Sequence, residues 1–332
     1  MTLMSRIAPQ LIALAALVVL VSVFYPGFLS VEVQNDRLVG PVIDILKRSA
    51  PVALLAVGMT LVIATRGIDL SVGTIMAICG AAAAWALTAG LGAGAALALA
   101  LGAGLVAGLW NGVLVAVVGI QPFVATLILM TMGRGVAQLI TEGRILTFTD
   151  PGFSWLGSGT ALGLPVPVWI WLATAAAAAL LMRRTALGLL VEAVGINRRA
   201  ALLAGVNATV LLIAVYVASG FCAALAGIIV TADIRGADAN NAGLWLELDA
   251  ILAVVVGGNS LLGGRFSIAA SVLGALIIQT ISAGILLAGF ASEYNLIIKA
   301  GLVLVILILQ SPRIASEWRL WRDSHRAQGG RA

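Results

Sequence analysis

The sequence predicts an all-α protein that crosses a membrane many times, and three observations lead to this fold class. Hydrophobic residues make up 61% of the 332-residue chain, and charged residues make up only 10%. A soluble domain needs more charge than this to cover its surface. The apolar residues are also grouped in runs that match the bilayer, because a helix crosses the roughly 30 Å hydrocarbon core with about 20 residues.

Ten apolar runs of this kind follow one another, and we expect each to form a transmembrane helix. They lie at about 7–29, 49–65, 70–89, 92–118, 121–140, 164–182, 209–232, 246–262, 266–288 and 295–310. Eight spans with re-entrant segments are the alternative. The connections are too short for a soluble domain, so residues 1–332 are expected to form one transmembrane domain. The first run lacks a small-residue cleavage site, which favours a retained helix over a cleaved signal peptide.

The scarcity of reactive residues excludes several functions. Neither of the two lysines is followed by Ser or Thr, so the chain lacks a nucleotide-binding P-loop. The single histidine, His325, excludes a His-based zinc motif and a Ser–His or Cys–His catalytic pair in the membrane. Cys79 and Cys222 both lie in apolar runs and are expected to be packing residues. We therefore predict no catalytic residues and no metal site.

The distribution of basic residues predicts the orientation of the chain. With ten spans and a cytoplasmic N-terminus, twelve basic residues fall on the inner side and five on the outer side. The outer five are Arg37, Lys47, Arg48, Arg144 and Arg235. The positive-inside rule therefore predicts that both termini are cytoplasmic, including a basic tail at about 311–332. This orientation also explains the net charge of +5 without nucleic acid. Lys47 and Arg48 are a misfit that a different start of the second span would remove.

Two polar connections are longer than the others. The basic inner loop at about 183–207 contains a segment of helix-forming composition, 197–204, with Gly205 placed as a C-terminal stop. It predicts either a short helix for a partner or a loop that only sets orientation. The outer segment 233–249 combines acidic residues, adjacent Asn residues and Trp245. Its composition suits carbohydrate contact or protein docking, although a hydrated loop with an interfacial Trp explains it as well.

A charged residue at the bilayer centre raises the free energy of membrane insertion by about 2.5–3.5 kcal/mol on insertion scales. Arg134, Glu247, Asp249 and Lys299 are therefore candidates for a polar pathway that admits a hydroxyl-rich solute. Structural explanations remain open, because Lys299 can extend to the membrane surface and Arg134 can pair with Glu142. By elimination, we interpret the chain as a helical pore or carrier body whose energy source lies elsewhere.

Two further patterns have structural interpretations. Asp69 and Ser71 are expected to form a turn at a helix start, where the acid caps free N–H groups. Glycine is abundant, with 38 residues, and many of these lie inside the spans. Gly102, Gly104 and Gly108 of the fourth span are typical of membrane helices whose backbones pack closely.

Three stretches resemble a known family. They read ATRGIDLSVG at 64–73, EAVGINRRAALLAGVN at 192–207 and ELDAILAVVVGGNSLLGGRF at 247–266. With the apolar runs between them, they make nearly the whole chain similar to permease subunits of bacterial ABC importers for monosaccharides such as ribose, xylose and galactosides. Within this group, the chain looks most like galactofuranose importer permeases. Arg66 departs from the pattern, since related sequences usually have Gly at this position.

The resemblance implies a type II-like importer membrane domain in the bacterial inner membrane. It implies a second permease copy, either identical or a close paralogue, that completes the translocation path. It also implies a cytoplasmic ATPase subunit that uses ATP and Mg²⁺, and a periplasmic sugar-binding protein that docks outside. No cofactor is expected on this chain itself.

The resemblance and the polar segments together give the candidate site residues. The residues expected to couple the permease to the ATPase are Glu192, Gly195, Asn197, Arg198, Arg199 and Gly205. Both arginines are expected to meet acidic groups of the ATPase. The residues expected to form an outer gate or docking site are Asp233, Arg235, Asp238, Asn240 and Asn241. The alternatives are a stand-alone channel for small polar solutes and a non-transporting membrane anchor for a signalling ATPase.

Overall fold

A computed structural model describes residues 3–34, 37–290 and 294–310. The chain divides into two units, residues 1–280 and 281–332. The predicted basic tail, 311–332, lies outside the described residues.

The described residues are mainly helical. Their α-helices are α1 (Leu3–Phe24), α2 (Pro41–Arg48), α3 (Ala50–Ala64), α4 (Val72–Thr88), α5 (Gly92–Val113), α6 (Pro122–Thr141), α7 (Pro151–Ser158), α8 (Val166–Arg184), α9 (Leu187–Ile196), α10 (Arg198–Leu203), α11 (Ala208–Ile234), α12 (Leu246–Val256), α13 (Ile268–Leu287) and α14 (Tyr294–Gln310). A π-helical turn, Leu114–Val118, continues α5.

The strands within the described residues are only two or three residues long and form three antiparallel pairs. They are β1 (Glu32–Gln34) with β2 (Arg37–Val39), β3 (Leu146–Thr147) with β6 (Gly236–Ala237), and β4 (Thr160–Ala161) with β5 (Leu164–Pro165). In the register of the β3–β6 pair, Leu146 lies opposite Ala237. These pairs join loops to one another, so the fold class agrees with the predicted all-α membrane protein.

Six helices of the described residues are long and apolar enough to cross a membrane, namely α1, α5 with its π-helical turn, α6, α8, α11 and α13. A seventh span results if α2 and α3, which are bent by 41° at Ser49, cross together. The structure therefore agrees with the multi-pass prediction but supports fewer full-length helices than the predicted ten.

Two predicted spans form helices shorter than the bilayer core. The run at 70–89 forms α4, with 17 residues, and the run at 246–262 forms α12, with only 11. At 1.5 Å per residue these helices are about 25 Å and 16 Å long, against roughly 30 Å of hydrocarbon. The end of α12 has a clear cause, because Gly258 adopts a left-handed φ of 81°. Its N–H bonds to Val255 O, and the N–H of Asn259 bonds to Val254 O, which is a Schellman stop.

The start of the second predicted span also differs from the expectation. Lys47 belongs to α2, a short helix that precedes the bend at Ser49. The Lys47 Nζ lies 2.7 Å from Asp233 Oδ1 at the end of α11. The lysine is thus paired with an acid rather than placed in an unpaired outer loop.

Helix α11 is the centre of the first unit and packs against α3, α4, α5 and α7. Its neighbour α3 is buried on all faces, including Leu54, Leu55 and Met59, which have no exposed surface. A helix that is apolar all round is expected to lie inside a bundle. Helices α1 and α8 of the same unit stay mostly exposed.

Glycines bring α5 and α11 into backbone contact. Gly104, Gly108 and Gly112 recur every four residues and face α11. A Cβ at Gly108 would lie 2.5 Å from Tyr216 O and 2.9 Å from Val217 Cα, so no larger residue fits. The predicted role of Gly104 and Gly108 is confirmed. It is wrong for Gly102, which faces open space on another side of α5.

Long-range contacts bring distant segments together at two places in the first unit. At the Arg66 end, the segments that meet are 64–66, 116, 196–198 and 262–264. At the Lys47 end, the segments that meet are 47, 134–147 and 233–242.

Replacement of Gly108 by Ala should destabilise the protein, because the new methyl group overlaps α11. Overpacking of this kind costs about 1–3 kcal/mol. Gly102→Ala is the matched control, and we expect it to be neutral or to stabilise by about 0.5–1 kcal/mol, since Ala is the better helix former. Thermal unfolding of both variants in detergent measures the difference. Equal midpoints would contradict the close contact between α5 and α11.

Candidate functional site

The segment predicted to form a coupling loop is almost entirely helical. The Asn197 side chain begins α10 by accepting a hydrogen bond from Ala200 N at 3.1 Å, and Gly205 follows the helix with a left-handed φ of 84°. The predicted short helix therefore exists. Helix α9 is not predicted by the sequence, because the apolar run LGLLVEAVGI before Asn197 lacks a side-chain N-cap that would mark the start of a helix.

Helix α9 is held tightly against α3. Val191, Val194 and Gly195 are buried, and a Cβ on Gly195 would overlap Ala64 O. Gly195 is therefore a contact point between α9 and α3. Glu192 is half-buried and lines a cavity of about 580 Å³ together with residues of α8 and the start of α13.

The two arginines of α10 have different surroundings. Arg198 turns back to the protein, where its Nη2 lies 3.4 Å from Ala116 O in the π-helical turn. Arg199 is exposed, and so are Leu202 and Leu203, the latter by 91%. Helix α10 therefore presents a mixed apolar and basic surface. The predicted contact of both arginines with an ATPase stays a prediction, and the geometry favours Arg199 for it.

A buried polar cluster lies where the α3–α4 turn meets α5 and α11. Asp69 is 1% exposed, and its Oδ1 accepts hydrogen bonds from the N–H of Ser71 at 3.0 Å and from its hydroxyl at 2.6 Å. The Asp69 Oδ2 accepts from Ser219 Oγ at 2.8 Å. The Ser71 hydroxyl in turn accepts from Asn111 Nδ2 at 2.8 Å. The carboxylate thus joins the turn to α11, and the Ser71 hydroxyl joins the same turn to α5.

Asp69 and Ser71 stabilise the α3–α4 turn, as expected, but Asp69 bonds to a different N–H group from the one predicted. Asp69 bonds to Ser71, which precedes α4, so its carboxylate does not cap the first turn of that helix. Sequence reasoning missed Asn111 and Ser219. The available signal was their polarity within long apolar runs, since a polar residue inside a membrane helix usually has a partner.

The outer segment folds back into the helix bundle. After β6, Asp238 Oδ1 accepts hydrogen bonds from the N–H groups of Asn240, at 2.9 Å, and Asn241, at 3.2 Å, and its Oδ2 accepts from Asn241 Nδ2 at 2.7 Å. These bonds, the Asn241 side chain first, hold the pKa of the Asp238 carboxyl below its usual value. Gln138 of α6 donates to Asn240 Oδ1 at 2.7 Å. Three predicted gate residues therefore form one compact turn.

Arg134 fixes this turn against α6. Its Nη1 donates to Ala239 O at 3.0 Å and to Ala242 O at 2.7 Å. The suggested pairing with Glu142 is wrong, because Glu142 forms an ion pair with Arg144. Arg134 precedes the end of α6 by seven residues, so its Cα lies about 10 Å inside that end.

The remaining candidates are distributed over other elements. Asp233 pairs with Lys47, and Arg235 ends α11 with a left-handed φ of 53°. Glu247 is buried in the first turn of α12, with its carboxylate beside Gly73 of α4, and Asp249 is half-buried in the same turn. Lys299 lies on α14, in the second unit. Glu247 interacts electrostatically with both Arg134 and Asp249, so the structure brings three of the four predicted pathway residues near one another.

Comparison with known proteins gives a family and several curated relatives. The family model described as the permease component of the branched-chain amino acid transport system matches residues 42–307. The galactofuranose transporter permease protein of Escherichia coli is 61% identical over 308 residues, which cover 93% of this chain and 90% of that protein. No solved structure is significantly similar to this chain.

Two further relatives are named for other sugars. The fructose import permease protein of Bifidobacterium longum is 41% identical over 93% of this chain and 89% of its own length. The ribose import permease protein of Escherichia coli is 40% identical over 92% of this chain and 93% of its own length.

Ser219→Ala should destabilise the protein by about 1–3 kcal/mol, because it removes a donor from a buried carboxylate oxygen. Ser22→Ala is the matched control, since the Ser22 hydroxyl bonds only to Val18 O of its own helix, at 2.7 Å. We expect the control to stay within about 0.5 kcal/mol of the wild type. Unfolding in detergent measures both changes, and a neutral Ser219→Ala would contradict the buried cluster.

Arg134→Ala should release the outer turn. Ala239 is 2% exposed, so a cysteine at this position should react slowly with a membrane-impermeant maleimide in the wild-type background. We expect a rate at least tenfold higher when Arg134 is replaced, in line with the loss of two charged hydrogen bonds. Arg144→Ala is the control, since it removes only an exposed ion pair. Cys79 and Cys222 are buried and should add little background.

Proposed function

The chain belongs to the family of permease components of branched-chain amino acid transport systems, and from this premise we propose that it is the membrane subunit of an ABC importer for a monosaccharide. The names of the relatives support this proposal, because the three described above are permeases for galactofuranose, fructose and ribose. The subunit lies in the bacterial inner membrane with both termini in the cytoplasm. The Arg66 end of the first unit then faces the cytoplasm.

Galactofuranose is the proposed substrate. The galactofuranose permease is 61% identical to this chain, whereas the fructose and ribose permeases are 41% and 40% identical. All three matches cover about nine-tenths of the chain, so the difference does not come from partial overlap.

The observation that carries the proposal is the surface of α10. The helix is fixed at its start by the Asn197 cap and at its end by Gly205, yet Leu203 is 91% exposed. An ordered helix that leaves apolar and basic side chains in water is suited to bind a partner. We assign this surface to the ATPase subunit, which binds ATP and Mg²⁺. The permease itself is a transport subunit and not an enzyme.

The Lys47 end provides the second docking surface. A cavity of about 510 Å³ at this end is lined by Arg37, Arg235 and Trp155. Two arginines beside an aromatic ring suit acidic side chains of a protein partner. We assign this surface, together with the turn at 238–242, to a periplasmic sugar-binding protein.

A second permease copy, identical or closely related, completes the path. Helices α1, α6 and α8 keep most of their apolar surface exposed within one chain, and this surface contacts lipid or the second copy. ATPase closure moves α10 as a lever and shifts the attached spans. The path then opens to one side at a time, as in alternating access.

A stand-alone channel and a membrane anchor are the competing functions. A channel passes sugar without an ATPase, and an anchor binds an ATPase but transports nothing. In both cases the exposed surface of α10 contributes nothing to sugar uptake.

Leu203→Asp provides the test. The protein is reconstituted in proteoliposomes with its ATPase and sugar-binding protein, and sugar uptake, ATPase activity and ATPase binding are measured. We expect the substitution to abolish ATPase binding and uptake, because a charge replaces an exposed apolar contact without disturbing the permease core. Replacement of 197–203 by a Gly/Ser linker should have the same effect.

Leu162→Asp is the control, since Leu162 is 88% exposed in the loop between β4 and β5. This loop lies next to β2, because Gly163 O accepts a hydrogen bond from Leu38 N of that strand. The control should bind the ATPase normally. Uptake by the permease alone, or normal uptake by Leu203→Asp, would replace the importer by the channel. If the wild type binds the ATPase but takes up no sugar, both transport functions are excluded and the membrane anchor is the remaining function.

A further inference from the structure

Arg66 joins three chain segments that are far apart in sequence. Its Nε donates a hydrogen bond to Leu262 O at 2.8 Å, and its Nη2 donates to Ile196 O at 2.8 Å. Next to these bonds, Gly264 N donates to Ala64 O at 2.9 Å. We name these five residues the Arg66 clasp. It connects the end of α3, the α9–α10 junction and the loop after α12.

The backbone conformation of Arg66 indicates that its side chain has a function. Its φ is 64°, a left-handed conformation that L-residues other than Asn, Asp and Gly rarely adopt. Glycine adopts this conformation freely and would complete the turn without strain. An observed backbone outlier of this kind is a reason to look for a function of the side chain. The two hydrogen bonds to carbonyl groups are what glycine cannot supply.

Arg66 is connected to two regions described above, namely helix α10 and the buried polar cluster around Asp69. Ile196 immediately precedes Asn197, the cap of α10, so one bond reaches the base of the lever helix. On the other side, Arg66 begins the turn that contains Asp69, whose carboxylate is bonded to Ser219 of α11. Arg66 is therefore connected to the base of α10 through its side chain and to the buried polar cluster through three residues of backbone.

We propose that Arg66 is a positioning residue that transmits the movement of α10 to the α3–α4 turn, and so couples ATP hydrolysis to sugar transport. This inference rests on the proposed function. Arg66 is exposed at the surface, so water can replace its side chain at both carbonyl groups. The clasp then adds little to the stability of the fold. Its contribution is to keep α10 and the turn moving together.

The substitution Arg66→Gly tests whether Arg66 contributes to the coupling of ATP hydrolysis to transport rather than to the stability of the fold. Glycine relieves the left-handed strain, so the unfolding midpoint should be unchanged or higher, and ATPase binding should be retained. The ratio of sugar transported to ATP hydrolysed should fall about tenfold, within the range typical of coupling between two sites. Arg66→Lys should be intermediate, because one ammonium group cannot bond both carbonyls in the manner of the planar guanidinium.

Arg265→Gly is the matched control. It removes the same charge from an exposed position one residue beyond the clasp. The assay uses the complete transporter with its ATPase and sugar-binding protein. We expect the control to keep the wild-type transport ratio.

Two results would overturn the inference. One is a wild-type transport ratio in Arg66→Gly. The other is a lower unfolding midpoint with transport and hydrolysis reduced together at an unchanged ratio, which would make Arg66 a structural support only. A wild-type complex that binds its ATPase but takes up no sugar would overturn the proposed function, and this inference with it.

Discussion

The first unit depends on the close contact between α5 and α11. Membrane helices gain little from hydrophobic association, because lipid is as apolar as their side chains, so they must pack closely to associate. Gly104, Gly108 and Gly112 allow this on α5, and Gly220 allows it on α11, where a Cβ would lie 3.0 Å from Gly108 Cα. Helix α11 is then positioned to contact α3, α4 and α7 as well. The polar cluster around Asp69 forms because these backbones approach so closely.

An arginine side chain donates hydrogen bonds to backbone carbonyl groups at each end of this unit. A backbone carbonyl group that is shielded from water needs a hydrogen-bond donor from the protein, whereas an exposed carbonyl group can also bond water. Arg134 supplies donors to Ala239 and Ala242 at the Lys47 end, and Arg66 supplies them to Ile196 and Leu262 at the other end. A guanidinium is suited to this task, because it carries five N–H donors in a fixed plane. Arg134 also interacts electrostatically with the carboxylates of Glu247 and Asp238.

Local patterns predicted the local features. Composition and Gly205 were enough to predict α10, and the spacing of Gly104 and Gly108 predicted helix packing, since both signals act within a few residues. The short α12 was not predicted, because its apolar run continues past the turn at Gly258. The partners of Arg134 were also missed. They lie 105 and 108 residues away, and no local pattern reports such distances.

The ion pair of Lys47 and Asp233 has a consequence for the synthesis of the chain. The two residues are separated by 186 positions. At about 5–20 residues per second, the ribosome adds Asp233 roughly 10–40 s after Lys47. During this interval the lysine lacks the acid that later balances it. The early helices must therefore hold their topology on their own until α11 has been made.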